Sequence, residues 1–277
     1  MSSRLPLTDL RRAVRAGPAM FRVGISEALA YRAEFIIWVL TATLPLVMLA
    51  LWDAVARGGP IGPGDGYGRA EFARYFTVTL IARQFTASWV VWSLNEQIRT
   101  GALSPHLLRP VGPVWLHAAR NIAAMPLRAV VLLPLVTLLW WWQPEMSLPT
   151  DPLRWLAFSV TVTFAWVMGF MVQTFFGLLA FWFDQSVGLY YVWFGLFSLM
   201  GGYLIPIDLL PESMQLLAHW LPFRSMLGLP VEVGAGLLPW SQLWVDMAIQ
   251  LGWLVIFSVG VWWAWGRGLR RYGAFGA

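Results

Sequence analysis

Six long apolar runs dominate this sequence and leave little of the chain for a folded domain outside a membrane. They cover residues 35–56, 72–93, 114–142, 153–183, 187–206 and 242–265. A helix that crosses the hydrocarbon core needs about 20 apolar residues, so each run predicts one span. Only 12% of the residues are charged, whereas a soluble domain carries about 25%. The pattern predicts an all-α polytopic membrane protein whose six transmembrane helices form one domain, residues 35–277.

Residues 1–34 precede the first run and carry six arginines. Apolar residues such as Leu10, Val14 and Phe21 recur among them at roughly helical spacing. A basic helix with one apolar face is typical of the membrane interface. We therefore expect a cytoplasmic, amphipathic N-terminal helix here. The alternative is a leader that only fixes the orientation of the chain.

The placement of the arginines predicts the orientation, because basic residues are retained on the cytoplasmic side. With the N-terminus inside, the first 34 residues, the loop after the second run and the C-terminal tail hold six, three and three arginines. Five lie on the other side: Arg57, Arg69, Arg74, Arg154 and Arg224. Both termini should be cytoplasmic. The use of arginine alone, with abundant Ala, Gly and Trp, suggests a GC-rich bacterial genome, so we expect the bacterial cytoplasmic membrane.

Cysteine and lysine are both absent from the sequence. A thiolate nucleophile and a Cys-ligated metal are therefore excluded, and so is a conventional P-loop, which needs a lysine on the nucleotide phosphates. The three histidines, His106, His117 and His219, are not at metal-ligand spacing. We expect no catalytic, cofactor-binding or metal site in this chain. Nucleic-acid binding has no support either, because topology explains the basic residues.

The loop between the second and third runs, residues 95–110, has an amphipathic pattern. Ile98, Leu103, Leu107 and Leu108 are apolar among polar neighbours, and Gly101 permits a turn. A short structured cytoplasmic element of this kind can dock into a groove of a partner. An ordinary connecting loop explains the pattern equally well.

A second candidate segment, residues 201–223, follows the fifth run. Asp208 can cap a helix that starts near Pro211, a residue favoured in a first turn, and Pro222 stops that helix. The helix is too short to span a bilayer. We therefore predict a short re-entrant or extracellular helix between spans five and six.

Two arginines, Arg83 and Arg128, lie inside the apolar runs. A charge at bilayer depth costs at least about 2.5–3.5 kcal/mol, so each should face the bundle interior, a cavity or a subunit interface, or else snorkel. No acidic residue lies centrally in a run; Asp184 and Glu96 are candidate partners for Arg128. A buried polar bridge is one interpretation of these arginines, and a role in anion contact or gating is the other.

Taken in order, these segments resemble type-2 ABC exporter permeases, and among them the short six-span subfamily often linked to drug or antibiotic export. In the 95–110 loop the resemblance is carried by Glu96, Ile98, Arg99, Gly101, Leu103, Leu107, Leu108, Arg109 and Pro110. After the fifth run it is carried by Gly202, Tyr203, Ile205, Pro206, Asp208, Pro211, Leu221, Pro222, Phe223, Pro230, Val231, Glu232 and Gly234. The resemblance covers nearly the whole chain, but Arg83 and Arg128 match no motif of the family.

The resemblance implies a type-2 ABC exporter permease fold and a division of labour between subunits. Two permeases, identical or different, would pair above a dimer of a separate ATPase that holds ATP and magnesium. The ATPase would contact a coupling helix that includes Glu96, Gln97, Ile98, Arg99, Gly101, Leu103, Leu107 and Arg109. An extracellular gate would include Tyr203, Pro206, Asp208, Pro211, Pro222 and Phe223. Substrate would pass between the permeases, along the second and fifth spans.

The expected function is therefore that of the transmembrane subunit of an ATP-driven exporter. Its substrate would be a hydrophobic or amphipathic drug, lipid or glycan, and Arg83, Arg128 and aromatic side chains would line or border the path. Two alternatives come from other classes: a non-transporting membrane scaffold or assembly factor, and a membrane-embedded lipid-modifying enzyme. The enzyme would need clustered carboxylates, histidines or serines at one membrane depth, and the sequence offers none.

Overall fold

The computed structural model describes residues 10–30, 32–62, 66–142 and 147–274, and within these ranges the chain is helical. Eleven α-helices lie in the described part: α1 (Leu10–Ala30), α2 (Arg32–Ala56), α3 (Arg69–Thr86), α4 (Val90–Arg99), α5 (Leu103–Leu107), α6 (Pro113–Trp142), α7 (Pro152–Leu178), α8 (Ser186–Met200), α9 (Glu212–Trp220), α10 (Leu229–Gly234) and α11 (Trp240–Ala274). Single 3₁₀ turns cover Leu179–Phe181 and Ile207–Leu209, and a π-helical turn covers Arg224–Gly228.

Three of the described helical segments are long and apolar enough to cross a membrane: Pro113–Trp142, Pro152–Phe181 and Trp240–Tyr272. Large apolar side chains on them, among them Leu133, Leu156 and Val255, are mostly exposed. Such a surface is stable against lipid and not against water. The chain is therefore a membrane protein. The other three predicted spans coincide with α2, with α3 and α4 together, and with α8. The prediction that these three also cross the membrane rests on the sequence alone.

Two of the predicted spans differ from single long helices. The run 72–93 is broken at residues 87–89, where Ala87 is extended, so α3 and α4 are separate helices. The fifth run ends as a helix at Met200 and not at residue 206. Gly202 stops it, because its φ of +79° belongs to the left-handed region that favours glycine. The third run, in contrast, is one continuous helix despite Pro126 and Pro134.

Two apolar clusters hold the bundle together at its two ends. The larger one surrounds Phe72, Tyr75 and Phe76 of α3 and extends to α7, α10 and the start of α11. The smaller one joins α4, α5 and α7 to the end of α11. There Gly268 lies directly against the Phe181 ring, and any side chain at this position would collide with it. This close contact fixes the end of α11 beside the α4–α5 region.

Helix α1 lies within the predicted N-terminal element and packs against α6. A Cβ atom at Gly24 would lie 2.7 Å from the Cβ of Ala123, so the two helices touch at backbone distance. Only a residue without a side chain permits this approach. Residues 1–9 and residue 31 of the predicted N-terminal element lie outside the described residues.

Candidate functional site

The predicted coupling segment, residues 95–110, forms a helix end, a turn and a short second helix. Helix α4 ends at Arg99, and Gly101 adopts a φ of +78°, which allows the chain to turn. The amide of Ser104 then donates to the carbonyl of Gly101, 3.1 Å away, at the start of α5. The segment is thus a folded element and not an extended connection.

The residues predicted for this segment divide into an anchored group and an exposed group. Ile98 and Leu103 are buried in the smaller apolar cluster, so in this chain they hold the segment in place and face no partner. The exposed members are Glu96, Arg99, Gly101 and Arg109, and Gln97 and Leu107 are partly exposed. Leu108 was not among the predicted contacts, yet its side chain is 86% exposed. It is the most exposed large apolar residue of the described chain.

Two side chains from other helices fasten this segment. The Tyr272 hydroxyl of α11 donates to the Gly101 carbonyl and lies 2.9 Å from the Ser104 hydroxyl. His117 of α6 lies 3.3 Å from the side-chain oxygen of Gln97. A force on the segment therefore reaches both α6 and α11 directly. The sequence alone does not reveal the role of Tyr272, because about 170 residues separate it from its partners.

The same end of the bundle carries positive charge. The pKa of His106 is lowered from its ordinary value, first by burial and then by the neighbouring cations Arg109 and Arg120. Because the pKa of His106 is lowered, the exposed charged side chains of this segment at pH 7 are Glu96, Arg99 and Arg109. Two of these three side chains are cations.

The predicted gate segment lies at the opposite end of the bundle. Tyr203, Pro206, Pro222 and Phe223 are buried there, whereas Asp208 and Pro211 are exposed. Helix α2 and the loop before α3 are each fastened onto this segment by one hydrogen bond. Trp52 donates to the carbonyl of Leu204 over 3.0 Å, and the Tyr67 hydroxyl donates to Asp208 over 2.8 Å.

Asp208 does not cap the following helix, contrary to the prediction. Helix α9 begins at Glu212 after Pro211, and no side chain caps it. The Asp208 carboxylate instead accepts from Tyr67, while the Gln215 amide binds the backbone carbonyls of Asp208 and Leu210. Burial and the Asp208 carboxylate raise the pKa of Tyr67, so its hydroxyl keeps its proton. The prediction failed because a partner some 140 residues away competed for the carboxylate.

A buried charge network lies beside the gate segment and was not predicted. Arg224 donates to Glu232 over 2.6 Å and to Asp246 over 2.9 Å. Its other amino nitrogen lies 3.2 Å from Nδ1 of His219. Because arginine can only donate, this histidine nitrogen accepts, and Nε2 carries the proton toward Asp246. The network ties the π-helical turn, α9, α10 and α11 together.

A polar cavity of about 310 Å³ opens next to this network. Asp208, Gln215, His219 and Glu232 are among the residues that line it. In the sequence, Arg224 stands out only as an arginine on the outer side of the membrane. Its partners lie eight and 22 residues further along the chain, and only the π-helical turn and the packing of α11 bring them together.

Arg128 lies at the break between α3 and α4. Its side chain is 2% exposed, and it donates to the carbonyls of Gln84 and Ala87 over 3.3 and 2.8 Å. The amide of Asn121 also donates to Ala87. The last carbonyls of a helix lack internal partners and carry partial negative charge. Arg128 therefore supplies donors and a cation where the end of α3 needs them.

Arg83 lies one turn before this break, but its surroundings differ. Its guanidinium carbon is 4.8 Å from the centre of the Tyr203 ring and 5.7 Å from that of Phe197. Within the described residues its side chain forms no hydrogen bond and no ion pair. It lines a small cavity between α3, α7 and α8. The structure thus separates the two predicted arginines into a helix cap and a cavity residue.

The described residues contain no group of three or more acidic or histidine side chains that could hold a metal ion. What they do contain is a bundle of apolar helices, with the partly exposed segment 95–110 at one end and the gate segment, fastened by hydrogen bonds, at the other. This arrangement defines a polytopic α-helical membrane protein.

Its family follows from comparison with known proteins. The family model described as ABC-2 family transporter protein matches residues 30–276, and the chain belongs to this family. It is therefore an ABC-2 type permease, the membrane component of a transporter that works with an ATPase partner. A search of curated proteins and a search of solved structures each found no match.

Proposed function

We propose that this chain is the transmembrane subunit of an ATP-driven exporter in the bacterial cytoplasmic membrane. It would cross the membrane six times with both termini in the cytoplasm, and it would form the translocation path with a second permease, identical or different. ATP and magnesium would bind the partner ATPase dimer. The substrate would be hydrophobic or amphipathic, and membrane lipid would surround the complex.

The observation that carries the proposal is the docking segment around α5. Leu108 is exposed and is followed by the exposed Arg109, whereas Leu103 is fully buried in the chain's own core. Tyr272 fastens the intervening turn to the last helix. The segment is thus exposed on its outer side and rigidly attached on its inner side. A part with these properties can transmit the movement of a partner to the membrane helices.

The test is co-purification of the full chain with a candidate P-loop ATPase from the neighbouring genes. We expect Leu108→Glu to reduce co-elution of the ATPase at least tenfold, because it places a carboxylate in the apolar centre of the contact. Leu216→Glu is the matched control, since Leu216 is 65% exposed on α9 at the other end of the bundle. Co-elution that survives both Leu108→Glu and deletion of residues 97–108 would refute the docking assignment.

Transport is tested separately, in vesicles that contain the complete complex. Substrate should accumulate on the side opposite the ATPase only when ATP and magnesium are supplied. A complex that assembles and hydrolyses ATP but moves no amphipathic substrate would contradict the exporter function. No observation on the described residues favours a scaffold or a lipid-modifying enzyme.

A further inference from the structure

The small cavity beside Arg83 has the composition of a ligand site. It measures about 30 Å³, and residues of α3, α7 and α8 line it together with Met226. A group the size of a water molecule needs about 10–15 Å³ measured in this way. The cavity therefore has room for about two oxygen-sized atoms. A carboxylate has two oxygens, and a phosphate could insert two of its oxygens.

Three buried polar atoms on residues that line this cavity have no hydrogen-bond partner within the described chain. They are Oγ1 of Thr86, Oε1 of Gln173 and Nε1 of Trp193. Thr86 and Gln173 are only 6% and 7% exposed. Because about nine in ten buried polar groups are paired, three unpaired atoms on residues of one cavity wall leave that wall with hydrogen-bonding capacity for a polar guest.

The charge of the cavity indicates the sign of that guest. Arg83 presents its guanidinium donors without a carboxylate partner in the described residues. The Thr86 hydroxyl and the Trp193 indole N–H are further donors. The Gln173 side chain can present its amide nitrogen instead of its oxygen, since a half-turn about its last side-chain bond exchanges the two. Several donors and one positive charge suit an anion.

Aromatic rings form the rest of the wall. Tyr190, Trp193 and Phe197 line the cavity, and the Trp193 ring lies 4.7 Å from that of Phe223. Such a wall accepts an apolar chain next to the acidic group. We propose that this cavity is a binding subsite for the acidic head, a carboxylate or phosphate, of an amphipathic anion, with Arg83 as its counter-charge. The claim that the anion is transported rests on the proposed function, whereas its binding does not.

The test measures binding of labelled hexadecanoate to the full chain in neutral phosphatidylcholine nanodiscs, without the ATPase. We expect Arg83→Met to weaken binding at least tenfold, and Thr86→Val and Trp193→Phe to weaken it several-fold. Arg83→Lys should retain part of the affinity, because it keeps the charge. Arg154→Met is the matched control, since Arg154 also lies over an aromatic ring, that of Trp240, but outside the cavity. It should leave binding unchanged.

Hexadecanol, which has the same chain but no charge, distinguishes the head from the tail. It should bind weakly and equally to the wild type and to Arg83→Met. Equal binding of hexadecanoate to the wild type and to a folded Arg83→Met variant would overturn the subsite, and so would equal binding of the alcohol and the acid to the wild type. Because no ATPase is present, either failure leaves the docking test above unaffected.

A second arm separates a lipid occupant from a diffusible one. The measurement is repeated in nanodiscs that contain phosphatidylglycerol. If this lipid displaces hexadecanoate from the wild type but has no such effect on the residual binding of Arg83→Met, the subsite receives an anionic lipid head. If hexadecanoate persists, the subsite prefers a diffusible anion. Both results support an anion site that depends on Arg83.

Discussion

Arg224 and Arg83 are both held within a bundle of apolar helices, but their partners differ. Arg224 binds two carboxylates and a histidine from its own chain. Arg83 contacts aromatic rings and a cavity. A buried charge must be paired or it raises the energy of the fold. The chain meets this requirement for Arg224 by itself, whereas for Arg83 it leaves the positive charge available to a ligand.

Arg128 occupies an intermediate position in this comparison. The carbonyls of Gln84 and Ala87 at the end of α3 accept its donors. Arg224, Arg128 and Arg83 therefore have different roles, although each is an arginine in a largely apolar part of the sequence. The comparison predicts that substitution of Arg224 lowers the stability of the fold most, substitution of Arg128 less, and substitution of Arg83 least. Only substitution of Arg83 should weaken anion binding.

The largest effect is expected for Arg224→Met. The substitution leaves the buried Glu232 and Asp246 carboxylates without their cation, and loss of one partner of a buried ion pair costs about 3–5 kcal/mol. We expect a strong drop in the thermal unfolding temperature of the purified chain. The variant Arg224→Met combined with Glu232→Gln and Asp246→Asn should recover much of this loss. An unchanged unfolding temperature of the Arg224→Met variant would contradict the comparison.

Arg128→Met should have the second largest effect. The carbonyls of Gln84 and Ala87 lose a charged donor, and a hydrogen bond to a charged group contributes about 1.5–3 kcal/mol. We expect faster hydrogen exchange at the junction of α3 and α4 than in the wild type. Exchange in α11 is the internal control, because the two carbonyls that Arg128 binds, those of Gln84 and Ala87, lie at the end of α3. Equal acceleration throughout the chain would indicate general unfolding and contradict a local cap.

The sequence predicted the apolar helices well, because a bilayer demands about 20 apolar residues and long runs are visible without any tertiary information. It also indicated the 95–110 segment. It could not show the break at residues 87–89, because Arg128 and Asn121 of another helix satisfy the exposed Ala87 carbonyl. The sequence could not show the Arg224 network either, because its members come from different helices. Asp246 near the start of a long apolar helix looks like an ordinary boundary residue until folding places it against Arg224.

Arg83→Met should have little effect on stability, in contrast to Arg224→Met. A cation–π contact contributes about 0.5–2 kcal/mol, and removal of an unpaired charge from the bundle offsets this loss. We expect a change in unfolding free energy below about 1 kcal/mol, of either sign, measured by thermal unfolding in detergent. A loss as large as that of Arg224→Met would show that Arg83 is a structural bridge. The comparison between the two arginines would then be wrong.

Tyr67→Phe should likewise have a small effect, because it removes only the hydrogen bond that fastens the loop before α3 to the gate segment. Asp208 is exposed and regains water, so we expect a loss of only about 1 kcal/mol near pH 7. The pH dependence gives a sharper test. Because the folded state raises the pKa of Tyr67, the unfolded chain releases this proton above about pH 10 while the folded chain retains it. The wild type should therefore lose stability as the pH rises past about 10, and Tyr67→Phe should lose less. Identical slopes for the two proteins in this range would contradict the Tyr67–Asp208 contact.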